Sequence, residues 1–187
     1  MGEAMRFFKI IIATIISIAV IVIPLISIKY FLFWSLDKWV QRAWVPLSFE
    51  LEKRYGDIPR LSSAVIAYVG KEDDITQPLI AAYYKYQMTN GIEERIMASK
   101  NVEMALRNLF KQQPTRYENI TQEYEYNISR RFFQVSREMI KKPLENYDIA
   151  TEQYNAYAIR FPNNLIAHAL GLHLREGLYF NPDGTTR

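Results

Sequence analysis

The side chains best equipped for chemistry in this chain are its two histidines, His168 and His173, five residues apart in a segment patterned as helix. A helical histidine pair that grips one metal ion needs i, i+4 spacing and a carboxylate such as that of H-E-x-x-H, so that both rings reach one point. Five residues turn the second ring about 140° around the helix axis from the first. The pair therefore reads as surface or packing histidine, and no metal site is expected. The paired carboxylates Glu93-Glu94 and Asp73-Asp74 read as solvated helix ends, where acids are favoured by the dipole of a first turn. Nothing in the sequence selects either as a glycosidase-like pair. GxxxxGK[ST], GxGxxG and GxSxG are all absent, so no phosphate-cradling loop or nucleophile elbow is indicated. The lack of cysteine removes disulfides, thiolate metal sites and cysteine nucleophiles together. The expectation is a protein with no catalytic residue, no cofactor and no metal, and hence not an enzyme.

Binding chemistry is better represented. Arg130, Arg137 and Lys141, with Arg131 and Lys142 nearby, fall on one helical face by steps of seven and four. Such a face could meet anionic lipid or an acidic partner, or it could simply be solvated. The 13 tyrosines include two clusters, Tyr83, Tyr84 and Tyr86, and Tyr117, Tyr124 and Tyr126. These offer either an aromatic docking surface or bundle packing. Of 23 basic and 20 acidic residues, residues 1–39 hold four and two, which leaves 19 and 18 for residues 40–187. That near-neutrality argues against a nucleic-acid partner, whose phosphates select a strong basic excess.

Two kinds of element must position these residues. From Ile10 to Ile28 the sequence reads IIIATIISIAVIVIPLISI, without a charge. A hydrocarbon core about 30 Å thick needs roughly 20 such residues of helix. Arg6 and Lys9 flank the run on one side and Lys29 on the other, and Tyr30, Phe31, Phe33 and Trp34 suit the headgroup zone. A cleaved signal has an apolar region of only about 7–15 residues followed by small residues. The run is longer and has no such site, so it reads as a retained anchor, with the lipid bilayer as partner. Pro24 is expected to kink it.

The remainder reads as helices separated by glycine, proline and polar clusters. The first spans about 35–56, with Trp39, Val40, Ala43, Trp44, Leu47, Leu51 and Tyr55 on its apolar face, a bend at Pro46 and a stop at Gly56. The second, about 59–88, is interrupted near Lys71–Asp74 and Pro78; its face includes Leu61, Val65, Tyr68, Val69, Ile75 and Leu79. A third, about 92–112, presents Ile92, Ile96, Ser99, Val102, Leu106, Leu109 and Phe110 and gives way to a loop at Pro114. The fourth and longest, about 120–160, carries a stripe of Phe133, Ile140, Leu144, Tyr147, Tyr154, Ala158 and Phe161, broadened by Val135 and Met139. A short fifth helix is expected over 163–177. The fold class is therefore all-α: an N-terminal transmembrane helix (domain 1–34), an antiparallel four-helix bundle with a short extra C-terminal helix (35–180), and a tail (181–187).

Two segments carry a resemblance. One runs from Ala43-Trp44 through Glu50-Leu51-Glu52-Lys53-Arg54-Tyr55-Gly56-Asp57-Ile58-Pro59-Arg60-Leu61 to Tyr68 and Glu72. The other runs from Tyr154-Asn155 through Ile159-Arg160-Phe161-Pro162-Asn163-Asn164-Leu165-Ile166-Ala167 to Tyr179-Phe180. Together they resemble the LemA family, over roughly residues 40–180. Arg60 stands where that family usually has Asn, Gly56 interrupts its run before the proline, and Leu170-Gly171-Leu172 replaces an aromatic-rich stretch, so the member is divergent. The resemblance implies a single-pass bacterial membrane protein with a coiled-coil-like helical bundle, no established activity and no cofactor. One specialised relative is a magnetosome-membrane protein. Arg54 and Asp57 are expected to pair or cap where two helices meet, and Pro59 suits a first helical turn. Phe161, Pro162 and Asn164 would end the long helix and cap the next.

The function read from all this is a membrane-anchored, non-catalytic interaction or scaffold module. The alternatives are a regulator associated with an envelope protease or transporter, or an organelle-membrane protein of the magnetosome type. Partners are the bilayer and other membrane or envelope proteins, with self-association possible and no nucleic acid. The location expected is the bacterial inner membrane, with the bundle outside the cytoplasm.

Overall fold

Glycine and proline punctuate this chain, and its helices end where they gather. The computed structural model describes residues 2–70, 74–116 and 118–178, and among them every regular element is helical. Helix α1 is Gly2–Tyr55, α2 Ile58–Val69, α3 Thr76–Met88 and α4 Ile92–Arg116; a 3₁₀ turn at Glu118–Gln122 precedes α5, Tyr124–Ile159, and α6, Asn163–Ala169. The all-α expectation holds. Lys71, Glu72, Asp73, Tyr117 and everything from Tyr179 onward lie outside the described residues, and with them parts of two expected features, the Asp73-Asp74 pair and the second tyrosine cluster.

The chain forms two compact units, one of residues 1–39 with 153–174, the other of 40–152 with 175–187. In the larger unit the apolar stripes turn inward. Leu47, Leu51 and Tyr55 of α1, Leu61 and Val65 of α2, Leu79 and Tyr86 of α3, Ile96, Val102 and Leu109 of α4, and Ile140 and Tyr147 of α5 are all sealed from solvent. Contacts between rings and ion pairs fix the helix directions. Glu52 and Tyr55 of α1 meet Arg95 and Ser99 of α4 in rising order, so these two run parallel. On α5, Arg54 meets Phe133 whereas Trp44 meets Tyr147, so α5 opposes α1. The result is an up-down-up-down bundle in which α2 carries on in the direction of α1, since Arg60 meets Ser129, seven residues before Ser136 on α5, and α3 returns to set Tyr86 against Tyr55.

Two helix ends and one stretch of an apolar face differ from expectation. Helix α4 passes through Pro114 to Arg116 instead of stopping before it. One backbone donor is lost there, but Gln113, buried and accepting a bond from Arg130 (3.3 Å), keeps the last turn docked. Helix α6 ends at Ala169 rather than 177. Gly171 adopts φ +64°, and its N–H donates to the His168 carbonyl (3.2 Å) while that of Leu172 donates to Ala167 (2.9 Å). This is the Schellman arrangement, which glycine permits because it has no Cβ to clash in the left-handed region. Tyr68 and Val69 are exposed rather than core, because α2 ends beneath them at Gly70, which caps it through the Ile66 carbonyl (2.8 Å).

In the smaller unit the apolar stripe turns outward. Helix α1 is continuous through Pro24 and Pro46 and contains a stretch long and apolar enough to cross a membrane. Along 10–28 nearly every side chain is exposed, including Ile10, Ile15, Val20 and Ile28. At the far end of that stretch Phe33 is buried against the edges of Tyr154 and Tyr157 of α5, at centroid distances of 6.1 and 4.9 Å.

Candidate functional site

The densest polar arrangement inside the larger unit is built on Arg54. The last turn of α1 places it on the inward face, beside Leu51 and Tyr55, because it lies three residues past one core position and next to another. A buried guanidinium is costly unless every donor finds an acceptor. Its Nε and Nη2 donate to the two carboxylate oxygens of Glu103 on α4, at 2.7 and 3.1 Å. Its Nη1 donates to the Phe133 carbonyl at 2.6 Å and to the Ser136 hydroxyl at 2.7 Å, both on α5. The guanidinium also lies 5.2 Å from the Phe133 ring centroid. Four of its five N–H donors are thereby used, in the fork geometry that only arginine offers. One side chain ties α1 to both α4 and α5.

Around this pair the titratable groups are held neutral. Tyr55, fully buried, donates to the Ser99 carbonyl at 3.4 Å. Burial raises its phenol well above the ordinary value, and the Glu103 carboxylate adds to this. Tyr86, against the Tyr55 ring at 4.9 Å, is pushed up to about 12, again chiefly by burial. With Arg54 and Glu103 committed to each other and the phenols locked in the protonated state, the arrangement suits a fastener.

A second fastening holds the segment after α6. Residues 172–178 have no regular structure, yet Leu178 is fully buried. The Glu93 carboxylate pairs with Arg175 (3.1 Å) and accepts the Glu176 N–H (2.8 Å). Lys100 pairs with Glu176 (3.2 Å), and the Tyr147 hydroxyl donates to the Glu176 carbonyl (3.0 Å). Asp148 accepts the Leu178 N–H at 2.9 Å. Burial pushes the Asp148 carboxyl up to about 6, although the Leu178 bond pulls the other way.

Residues 43–186 match the model of the LemA family. The chain belongs to the LemA family. No curated protein matches it. The matched region opens at Ala43, beyond the apolar run, and takes in both fastenings.

Within this LemA-family chain the residues singled out from sequence are scattered. Arg54 and Asp57 do not pair: Asp57 bonds Arg60 at 2.5 Å, three residues along, and its side chain makes no capping bond to α2. Pro59 occupies the first turn of α2. Tyr154 is buried against Phe33, and Asn155 is half-buried beside it in sequence. Phe161, expected on the core stripe of α5, is the correction of largest size, being 80% exposed. The helix has ended at Ile159, so the 3.6-residue period no longer governs it. Val135 and Met139 are exposed as well. Pro162 begins α6 without a side-chain cap, and Asn164 bonds only the neighbouring Leu165 N–H (2.9 Å). The working cap is Asn163, whose amide donates to the Tyr157 carbonyl at 3.0 Å near the end of α5.

The proposed cationic face divides too. Arg130 is half-buried on Gln113, Arg137 is half-buried, and only Lys141 is open to solvent, paired with Glu138 at 2.7 Å. Tyr86 and Tyr126 are core residues, whereas Tyr84 and Tyr124 are exposed. His168 and His173 both face solvent, and among the described residues no cluster of metal-binding side chains occurs. What sequence reasoning missed is Glu103. The signal was present, since Glu103 lies four residues after Ser99 and three before Leu106 on the apolar stripe of α4. A carboxylate on such a stripe requires a buried cation.

Proposed function

We propose that this LemA-family protein is a single-pass membrane protein whose helical bundle acts as a non-catalytic interaction or scaffold module at a bacterial inner membrane. The observation that carries the reading is the outward-facing apolar stretch of α1. A soluble protein rarely exposes a contiguous apolar patch larger than a few hundred Å², whereas here a whole helix surface from Ile10 to Ile28 is open. Lipid is the environment in which that surface is stable. The hydroxyls within it support the same reading. Thr14, Ser17 and Ser27 donate to the carbonyls of Ile10, Ala13 and Ile23, each one turn back, at 2.8–2.9 Å. No polar group on that face calls for water. The non-catalytic part of the reading rests on the Arg54 cluster, whose groups are engaged with one another.

The side of the membrane is read from the residues that flank the run. Arg6 and Lys9 with the amino terminus face Lys29, Lys38 and Arg42 across the run, a near tie by charge. A short basic segment before an apolar run is laid out like an export signal that keeps its N-terminus in the cytoplasm. The bundle is accordingly placed outside the cytoplasm. The test is purification of the full-length chain from detergent-solubilised membranes after alkaline carbonate washing. The expected result is retention in the washed pellet, reproducible co-purification of the same partner at fixed stoichiometry, and no turnover of a panel of hydrolase substrates. Release by carbonate would overturn the anchor, and turnover by the purified chain would overturn the scaffold.

A further inference from the structure

The smaller unit contains an exposed apolar tip that the anchor alone does not explain. Lys29 places its ammonium 5.5 Å from the Tyr157 ring centroid, while Phe33 meets both Tyr157 and Tyr154. Moving back along α1 therefore moves forward along α5, and the two helices run antiparallel here. Each helical residue advances about 1.5 Å along the axis. Ile159 and the turn at Arg160–Pro162 thus lie beyond Tyr157 in the direction of Ile28 and Ser27, the last residues of the uncharged run. At that level Ile159 is exposed, Phe161 is the most exposed large apolar side chain among the described residues, and Leu165 on the first turns of α6 is exposed as well. Tyr30, Phe31 and Trp34 are open to the surroundings on the neighbouring turns of α1. Arg160, Asn164 and His168 supply exposed polar groups between these apolar side chains.

We propose that this tip, Ile159, Phe161 and Leu165, inserts into the headgroup–acyl boundary of the same bilayer that α1 crosses, forming a second lipid contact. The inference rests on the reading of residues 10–28 as a span. Its occupant is lipid because the tip continues, at the same depth, the surface that the span and its aromatic belt present. The composition is that of an interfacial element: bulky apolar side chains beside an arginine able to reach phosphate, on a segment too short to span.

The protein has no cysteine, so single nitroxide labels can be placed on the full-length chain at Phe161→Cys, Val20→Cys and Asn101→Cys. In vesicles of dioleoyl phosphatidylcholine and phosphatidylglycerol, electron paramagnetic resonance compares collisions with oxygen, which favours lipid, and with a nickel chelate, which favours water. At position 161 the oxygen-to-nickel ratio should exceed that at position 101 several-fold and fall below that at position 20. A label at 161 as open to nickel as that at 101, with position 20 still lipid-like, would overturn the inference and leave the span intact. Nickel access at position 20 would remove the span and the tip together. A label at 161 shielded from both reagents would mean that protein, such as a second copy of the chain, covers the tip, which also overturns it.

Discussion

The apolar stretch of α1 and the bundle core answer the same question in opposite ways: how a polar atom survives among apolar ones. In the apolar stretch, Thr14, Ser17 and Ser27 bond to carbonyls four residues away on their own helix. In the core, Arg54 finds its acceptors 49, 79 and 82 residues along the chain. Local satisfaction lets a helix exist without neighbours, as a lipid-exposed segment must. Long-range satisfaction does the reverse, because each bond is lost if one helix moves. The Arg54 cluster thereby makes the register of α1, α4 and α5 a single cooperative property, the role best attested for buried ionic groups.

The largest effect should come from breaking the anchor's side of this comparison. Placing arginine at two central positions, Ile18→Arg with Val22→Arg, costs about 5–7 kcal/mol of insertion at roughly 2.5–3.5 each. The double variant should appear in the carbonate supernatant where the native chain stays in the pellet. Next is the core. Arg54→Leu leaves the Glu103 carboxylate buried and unpaired, and should lower unfolding stability by about 3–5 kcal/mol in chemical denaturation. Adding Glu103→Leu should restore much of that loss. If the double variant is as unstable as the single, the carboxylate is not what destabilises Arg54→Leu.

These two regions were unequally legible. The uncharged apolar helix over 10–28 follows from residues adjacent in sequence, as does the stripe of α5 from Phe133 to Ala158, because burial there repeats with the helical period. The stop of α6 was readable at Gly171, since glycine two residues beyond a last helical turn is the usual Schellman signal. Arg54 stands out by its motif, but its partners do not, because nothing in one sequence says which helix lies opposite. Phe161 departs from the expected stripe because it lies directly before Pro162, which disfavours helical backbone there, and α5 has already ended at Ile159. Pro114 went astray for the opposite reason, its helix being carried on by tertiary contacts at Gln113.

Smaller effects sharpen the picture. Leu144, nearly fully buried on α5, should cost about 2–5 kcal/mol on truncation to alanine. Asp148 tests the fastening of residues 172–178. Its folded value of about 6 exceeds the ordinary 3.8, so the folded state holds the extra proton between those limits. Its contribution to stability is therefore present at low pH, falls as pH rises from 3.8 to about 6, and is flat above. The difference in stability between the native chain and Asp148→Asn should trace that slope, since the amide can still accept the Leu178 N–H. A difference independent of pH would contradict it. Lys141→Ala, at a solvated ion pair, should stay within about 0.5 kcal/mol.

The central claim is that residues 10–28 lie in lipid while the bundle lies in water on one side. Reaction of single cysteines with a membrane-impermeant maleimide on intact spheroplasts tests it most directly, comparing Val20→Cys in the run with Asn101→Cys on the exposed face of α4. The account predicts rapid labelling at position 101 without lysis and none at position 20 before or after it. Labelling at position 20 as fast as at position 101 would contradict the anchor, and labelling at 101 only after lysis would move the bundle into the cytoplasm.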